Sequence, residues 1–150
     1  MKNLSFRELS ALGSALAIAF CAYSYLPAAL WLSEEYSEGT VHGLERVEFV
    51  YTALGLVAFL AGIQIVYHVI LAILMRSEAN EPADERDRVI GMKATRIGYG
   101  VMVTGIVLLA GHLLTEDVSG LLAAQYLLLV LFIGEAIRYF AQFLLYRLSI

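Results

Sequence analysis

The chain has 150 residues, 60% hydrophobic and 16% charged, with a mean hydropathy of +0.74, a composition outside that of soluble domains. Its formal charge of -4 has physical meaning only once it is divided between the two sides of a bilayer. The lone cysteine, Cys21, excludes an intrachain disulfide framework and a cysteine-based metal knuckle, so helix packing must hold the fold.

Residues 1–10 place Lys2 and Arg7 ahead of an apolar run, Ala11 to Leu32. The run is longer than the core of a signal peptide, and Phe20 stands before Cys21 where lipoprotein processing needs a small side chain. It reads as a first crossing. Ala11, Gly13, Ala15, Ala17 and Ala19 offer close approach to another helix. Pro27 deprives the Tyr23 carbonyl of its helical partner, which predicts a kink near Tyr23 and Ser24. Trp31 closes the run at interface depth. An acidic connection, Ser33 to Glu48, leads into a second crossing, Phe49 to Met75, with Gln64, Tyr67 and His68 in its inner half and Ala58 and Gly62 as a small-residue pair.

Ser77 to Arg96 is the one long hydrophilic passage with apolar runs on both sides. Pro82 suits a first helical turn, and Glu81, Asp84 and Glu85 complement the positive end of a helix dipole. The third helix is therefore expected to start before the membrane. An Asp84–Arg88 pair at i, i+4 adds a few tenths of a kcal/mol, and a helix from Asp84 to Ile97 projects roughly 20 Å into the cytoplasm. Lys93 and Arg96 are placed to snorkel to headgroups. The third crossing runs from Ile97 to Leu114, with Gly98, Gly100, Gly105 and Gly111 as points of close approach. A tight acidic turn, Thr115 to Gly120, precedes the fourth, Leu121 to Tyr146, which Arg147 ends.

Eight Lys and Arg residues flank the crossings on the side of the two termini and the central passage, against Arg46 alone on the other side. The positive-inside rule then puts both termini in the cytoplasm. The expected fold is all-α: a single polytopic membrane domain over 1–150, with four antiparallel transmembrane helices near 11–32, 49–75, 97–114 and 121–146. Residues 76–96 form a cytoplasmic connection, and the small-residue faces favour a homodimer.

The stretches DERDRVIGMKATRIGYG (Asp84 to Gly100) and GEAIRYFAQFLLYR (Gly134 to Arg147) resemble a group of small four-helix bacterial membrane proteins marked by an Asp-Glu-Arg-Asp run before the third helix. The resemblance covers about the second half of the chain; the first two helices match in hydropathy only. It implies a multi-pass protein of the bacterial inner membrane and carries no catalytic mechanism with it. Some members are encoded beside small helix-turn-helix regulators, which points towards a regulatory role.

Glu135 and Arg138 lie near the middle and inner half of the fourth helix, where an unpaired charge costs at least ~2.5 kcal/mol on insertion scales. At i, i+3 they share a face and pair with each other. Gln142 extends their stripe, Gln64 and His68 lie at similar depth on the second helix, and Tyr99 and Thr104 reach the same level on the third. These residues are expected to form one buried polar cluster. Its functional reading is a ligand- or proton-responsive site with His68 titrating; its structural reading is a clamp that fixes helix pairing.

Depth counting separates His68 from His112 by roughly 20 Å along the membrane normal, so the two cannot ligate one haem iron within a chain. On the outer face His42 and His112 lie among carboxylates, which reads as a solvated acidic rim more readily than as a metal site, because no fixed ligand spacing is present. No cofactor and no resident metal are expected. Asp84, Glu85, Arg86, Asp87 and Arg88 read either as a docking surface for a soluble cytoplasmic regulator or as a solvated, ion-paired helix extension. Their mixed sign argues against direct nucleic-acid contact. No Gly-x-Ser-x-Gly, His-Glu-x-x-His or phosphate-cradling loop is present. The expected function is a non-enzymatic regulatory or binding module acting through the cytoplasmic helix extension, with a small proton-coupled transporter or channel using the Glu135, Arg138 and His68 cluster as the rival.

Overall fold

The computed structural model describes residues 4–37, 43–118 and 120–148, and the side chains of these other than 26–37, 43–50 and 121. Five helices occur among them: α1 (Phe6–Ser37), α2 (Gly43–Leu74), α3 (Arg76–Ala79), α4 (Glu85–Thr115) and α5 (Gly120–Leu148). No strand occurs among the described residues. Four of the helices are long and apolar enough to cross a bilayer. α4 has 31 residues, about 46 Å at ~1.5 Å per residue, well over a hydrocarbon core of ~30 Å. It therefore outlasts the apolar stretch that begins at Ile97.

Local chemistry sets the start of α4. The Asp84 carboxylate accepts from the Asp87 amide at 2.7 Å, and the Asp87 carboxylate accepts from the Asp84 amide at 2.9 Å. This reciprocal capping box satisfies two amides that have no partner inside the helix. Two sequence expectations change as a result. Pro82 stands two residues before the cap rather than in the first turn, and among the described residues Asp84 caps the helix instead of pairing with Arg88. The short α3 inside the connection has no counterpart in the hydropathy pattern. α1 stays helical through Pro27. Trp31 and the acidic connection with His42 lie outside the described side chains.

α5 is the centre of the packing, with α1 on one side and α4 on the other, while α2 packs on α1 and on α3. The lateral order is thus α2, α1, α5, α4. α1 buries Ala11, Ala15, Ile18, Cys21 and Tyr25, a spacing that keeps one helical stripe inward. The Tyr25 ring meets the buried Phe132 edge-on at 6.4 Å. In lipid such seams are stabilised by close van der Waals contact rather than by release of water, which makes small residues valuable.

Glycine placement shows where that contact is tightest. A side chain at Gly98 would stand 2.6 Å from Arg138 Cβ and 3.0 Å from the Gly134 carbonyl, and one at Gly105 would stand 2.7 Å from Val130 Cγ1. Gly134 faces Met102, and the Tyr67 ring lies over Gly13. Of the four glycines expected to allow close approach on the third crossing, Gly98 and Gly105 serve the α4–α5 seam. Gly100 and Gly111 have open space, as do Gly55 and Gly62 on α2.

Candidate functional site

Polar side chains gather most densely where α1 begins, α4 begins and α5 ends. Ser5 and Glu8 cap α1 reciprocally: the Ser5 amide donates to Glu8 Oε2 at 2.8 Å, and the Glu8 amide donates to Ser5 Oγ at 3.3 Å. The Ser5-x-x-Glu8 spacing is a readable capping signature that the hydropathy reading passed over. Glu8 is buried, and its second oxygen lies 3.8 Å from Arg147 Nη1. The Phe6 amide donates to Glu78 Oε2 at 2.8 Å, so a carboxylate from the connection sits at the positive end of α1.

Arg7 joins three pieces of chain. Its guanidinium pairs with Asp87 and donates to the carbonyls of Glu81 at 3.2 Å and Pro82 at 2.9 Å. The Asp87 side chain is only 9% exposed, so this pair is screened less than a surface bridge. Arg86 donates to the Tyr146 carbonyl at 3.4 Å, which places a cation at the negative end of α5. Together these contacts enclose an open cleft of about 830 Å³, and a smaller one of about 270 Å³ adjoins it where Ser10, Arg88 and Gln142 meet.

The expected single cluster is divided among separate places. Gln64 and His68 are bound to α1: Ser14 Oγ donates to Gln64 Oε1 at 3.0 Å, and Ser10 Oγ lies 2.9 Å from His68 Nε2. The other ring nitrogen, Nδ1, lies 2.7 Å from the Gln64 carbonyl. A carbonyl only accepts, so Nδ1 carries a proton and donates to it. Tyr67 completes this seam by donating to the Leu9 carbonyl at 2.6 Å.

Glu135 and Arg138 pair with each other on α5, at 2.6 and 2.9 Å to one carboxylate oxygen, and Arg138 lies 4.0 Å from the centre of the Tyr139 ring. The contact of Gly98 with Arg138 sets this arginine beside the α4 turn that follows Arg96. Tyr99 is 64% exposed. Thr104 donates to the Gly100 carbonyl of its own helix at 2.9 Å. Gln142 lines the smaller cleft at the polar end.

Of the five expected docking residues, Asp84 and Asp87 are engaged in the cap, and Arg86 reaches Tyr146. Glu85 and Arg88 are exposed. His112, at the far end of α4, is exposed with its ring 6.0 Å from that of Tyr126. Among the described residues no three His, Cys, Asp or Glu side chains are placed to hold a metal ion. Comparison with protein-family models, curated proteins and solved structures finds no match, so the functional reading rests on the geometry.

Proposed function

We propose that the chain is a multi-pass protein of the bacterial inner membrane that acts as a non-enzymatic regulatory or binding module through its polar end. One observation carries this reading: the start of α1, the 76–88 connection and the end of α5 are tied together around an open cleft of about 830 Å³. In a four-crossing arrangement with antiparallel neighbours, those three pieces all belong to one face of the bilayer. The α4–α5 contacts support it, since Gly98, Gly105 and His112 meet Arg138, Val130 and Tyr126, partners whose numbers fall as theirs rise. The Lys and Arg bias assigns that face to the cytoplasm. Glu85 and Arg88, beside the cleft mouth, are the side chains a soluble regulator meets first, and the open glycines of α2 and α4 leave faces for a second copy.

A photocrosslinking residue in place of Glu85 or Arg88 tests the reading in cells. The same soluble protein captured at both positions, and not from Glu116 on the far turn, supports it; no soluble capture, or equal capture from Glu116, overturns it. A small proton-coupled transporter is the second reading. It is favoured by the exposure of the Glu135–Arg138 pair, 34% and 26% respectively, and predicts a flux in liposomes that Glu135→Gln abolishes.

A further inference from the structure

Charges of both signs line the cleft: the carboxylates of Glu8, Glu78, Glu81, Asp84 and Asp87, and the guanidinium groups of Arg7, Arg86 and Arg147. Arg7 is committed to Asp87 and to two backbone carbonyls. Arg147 is held loosely: its one ion-pair contact among the described residues, to Glu8, is at 3.8 Å, and its side chain is 42% exposed. Glu81 engages Arg7 through its backbone carbonyl, and among the described residues its carboxylate has no partner. An anion alone would sit among five carboxylates, and a cation alone would sit among three guanidinium groups. A ligand carrying both signs finds a partner for each.

We propose that this cleft binds a phosphorylated primary amine, with the phosphate on Arg147 and Arg86 and the ammonium on Glu81 and Glu78. The inference rests on the binding role given above to this end of the molecule, and it names the ligand's chemistry. A volume of about 830 Å³ lies within the range of small-molecule sites, and Phe6 and Tyr146 add aromatic surface to the lining. The cleft also lies where α1 begins and α5 ends, beyond the apolar stretches. A phosphoethanolamine group reaches it from two sources, the headgroup of a membrane lipid or the free compound in solution.

The test uses the purified full chain. Free phosphoethanolamine is titrated calorimetrically against the protein in micelles. Retention of phosphatidylethanolamine is compared with that of phosphatidylglycerol of the same acyl chains by native mass spectrometry. The dipolar ligand is expected to bind at least ~10-fold more tightly than inorganic phosphate or ethanolamine, and Arg147→Gln and Glu81→Gln are each expected to weaken it about 10-fold. Arg147→Lys keeps the charge and recovers part of the affinity, which separates ligand contact from a folding defect. Binding of the free compound assigns a soluble source, and selective retention of the lipid alone assigns a membrane source; both uphold the chemistry. Equal binding of phosphate or of ethanolamine alone, equal retention of the two lipids without free-ligand binding, or indifference to both variants overturns it. Partner capture at Glu85 that persists when no phosphoamine binds sinks this inference and leaves the docking role standing.

Discussion

Arg7→Gln removes the group that joins the start of α1 to the connection and to α4. It loses the ion pair with Asp87 and the bonds to the Glu81 and Pro82 carbonyls. Charge-assisted hydrogen bonds contribute about 1.5–3 kcal/mol each when desolvated. The Arg7 side chain is 29% exposed, so water replaces part of what is lost. The net local cost is about 2–3 kcal/mol, which raises the opening of the connection roughly 30- to 150-fold. Hydrogen exchange in nanodiscs reads this residue by residue: amides over 78–83 gain exchange by that factor, while α5 amides around Phe132 stay unchanged. Amides 85–88 lose less, because the Asp84–Asp87 box needs no arginine. Arg7→Lys recovers only part of the protection, since one ammonium does not reproduce a planar fork that reaches a carboxylate and two carbonyls. Unchanged exchange over 78–83, or a uniform rise along the chain, refutes the reasoning.

Gly98→Leu drives a side chain into Arg138 and the Gly134 carbonyl and is expected to destabilise the α4–α5 seam by about 1–3 kcal/mol. Gly100→Leu, directed into open space, is expected to cost far less, and unfolding in mixed micelles compares the two. Glu135→Gln leaves Arg138 without its carboxylate. Because Arg138 lies beside the α4 turn that follows Arg96, it snorkels and the loss is about 1 kcal/mol, against at least ~2.5 kcal/mol for an arginine stranded at mid-bilayer. Insertion assays of the two forms separate these values.

The four long helices were legible because each carries an apolar run that needs no tertiary information to recognise. Pairing of Glu135 with Arg138 was legible too, since i, i+3 spacing fixes it within one helix. Which helix faces which was not. Gln64 and His68 share a depth with the residues of α5, but hydropathy carries no azimuth between helices, and Ser10 and Ser14 on α1 take their hydrogen bonds. The polar end was half visible: the charges of Asp84 to Arg88 stood out, whereas the local pattern gave Arg7 and Glu78 no partner. Their roles depend on contacts more than seventy residues apart in sequence, as between Phe6 and Glu78. Pro82 was read into the first turn, whereas the reciprocal cap of Asp84 and Asp87 starts α4 at Glu85.

Single-cysteine variants in a Cys21→Ser background test the central claim, that the chain crosses the bilayer four times with its polar end on one face. Ser77→Cys and Glu116→Cys lie at opposite ends of the helices, and both positions are exposed. Treated with a membrane-impermeant maleimide, inverted vesicles are expected to label Ser77→Cys alone, and intact spheroplasts Glu116→Cys alone. Labelling of both variants from the same side contradicts the account.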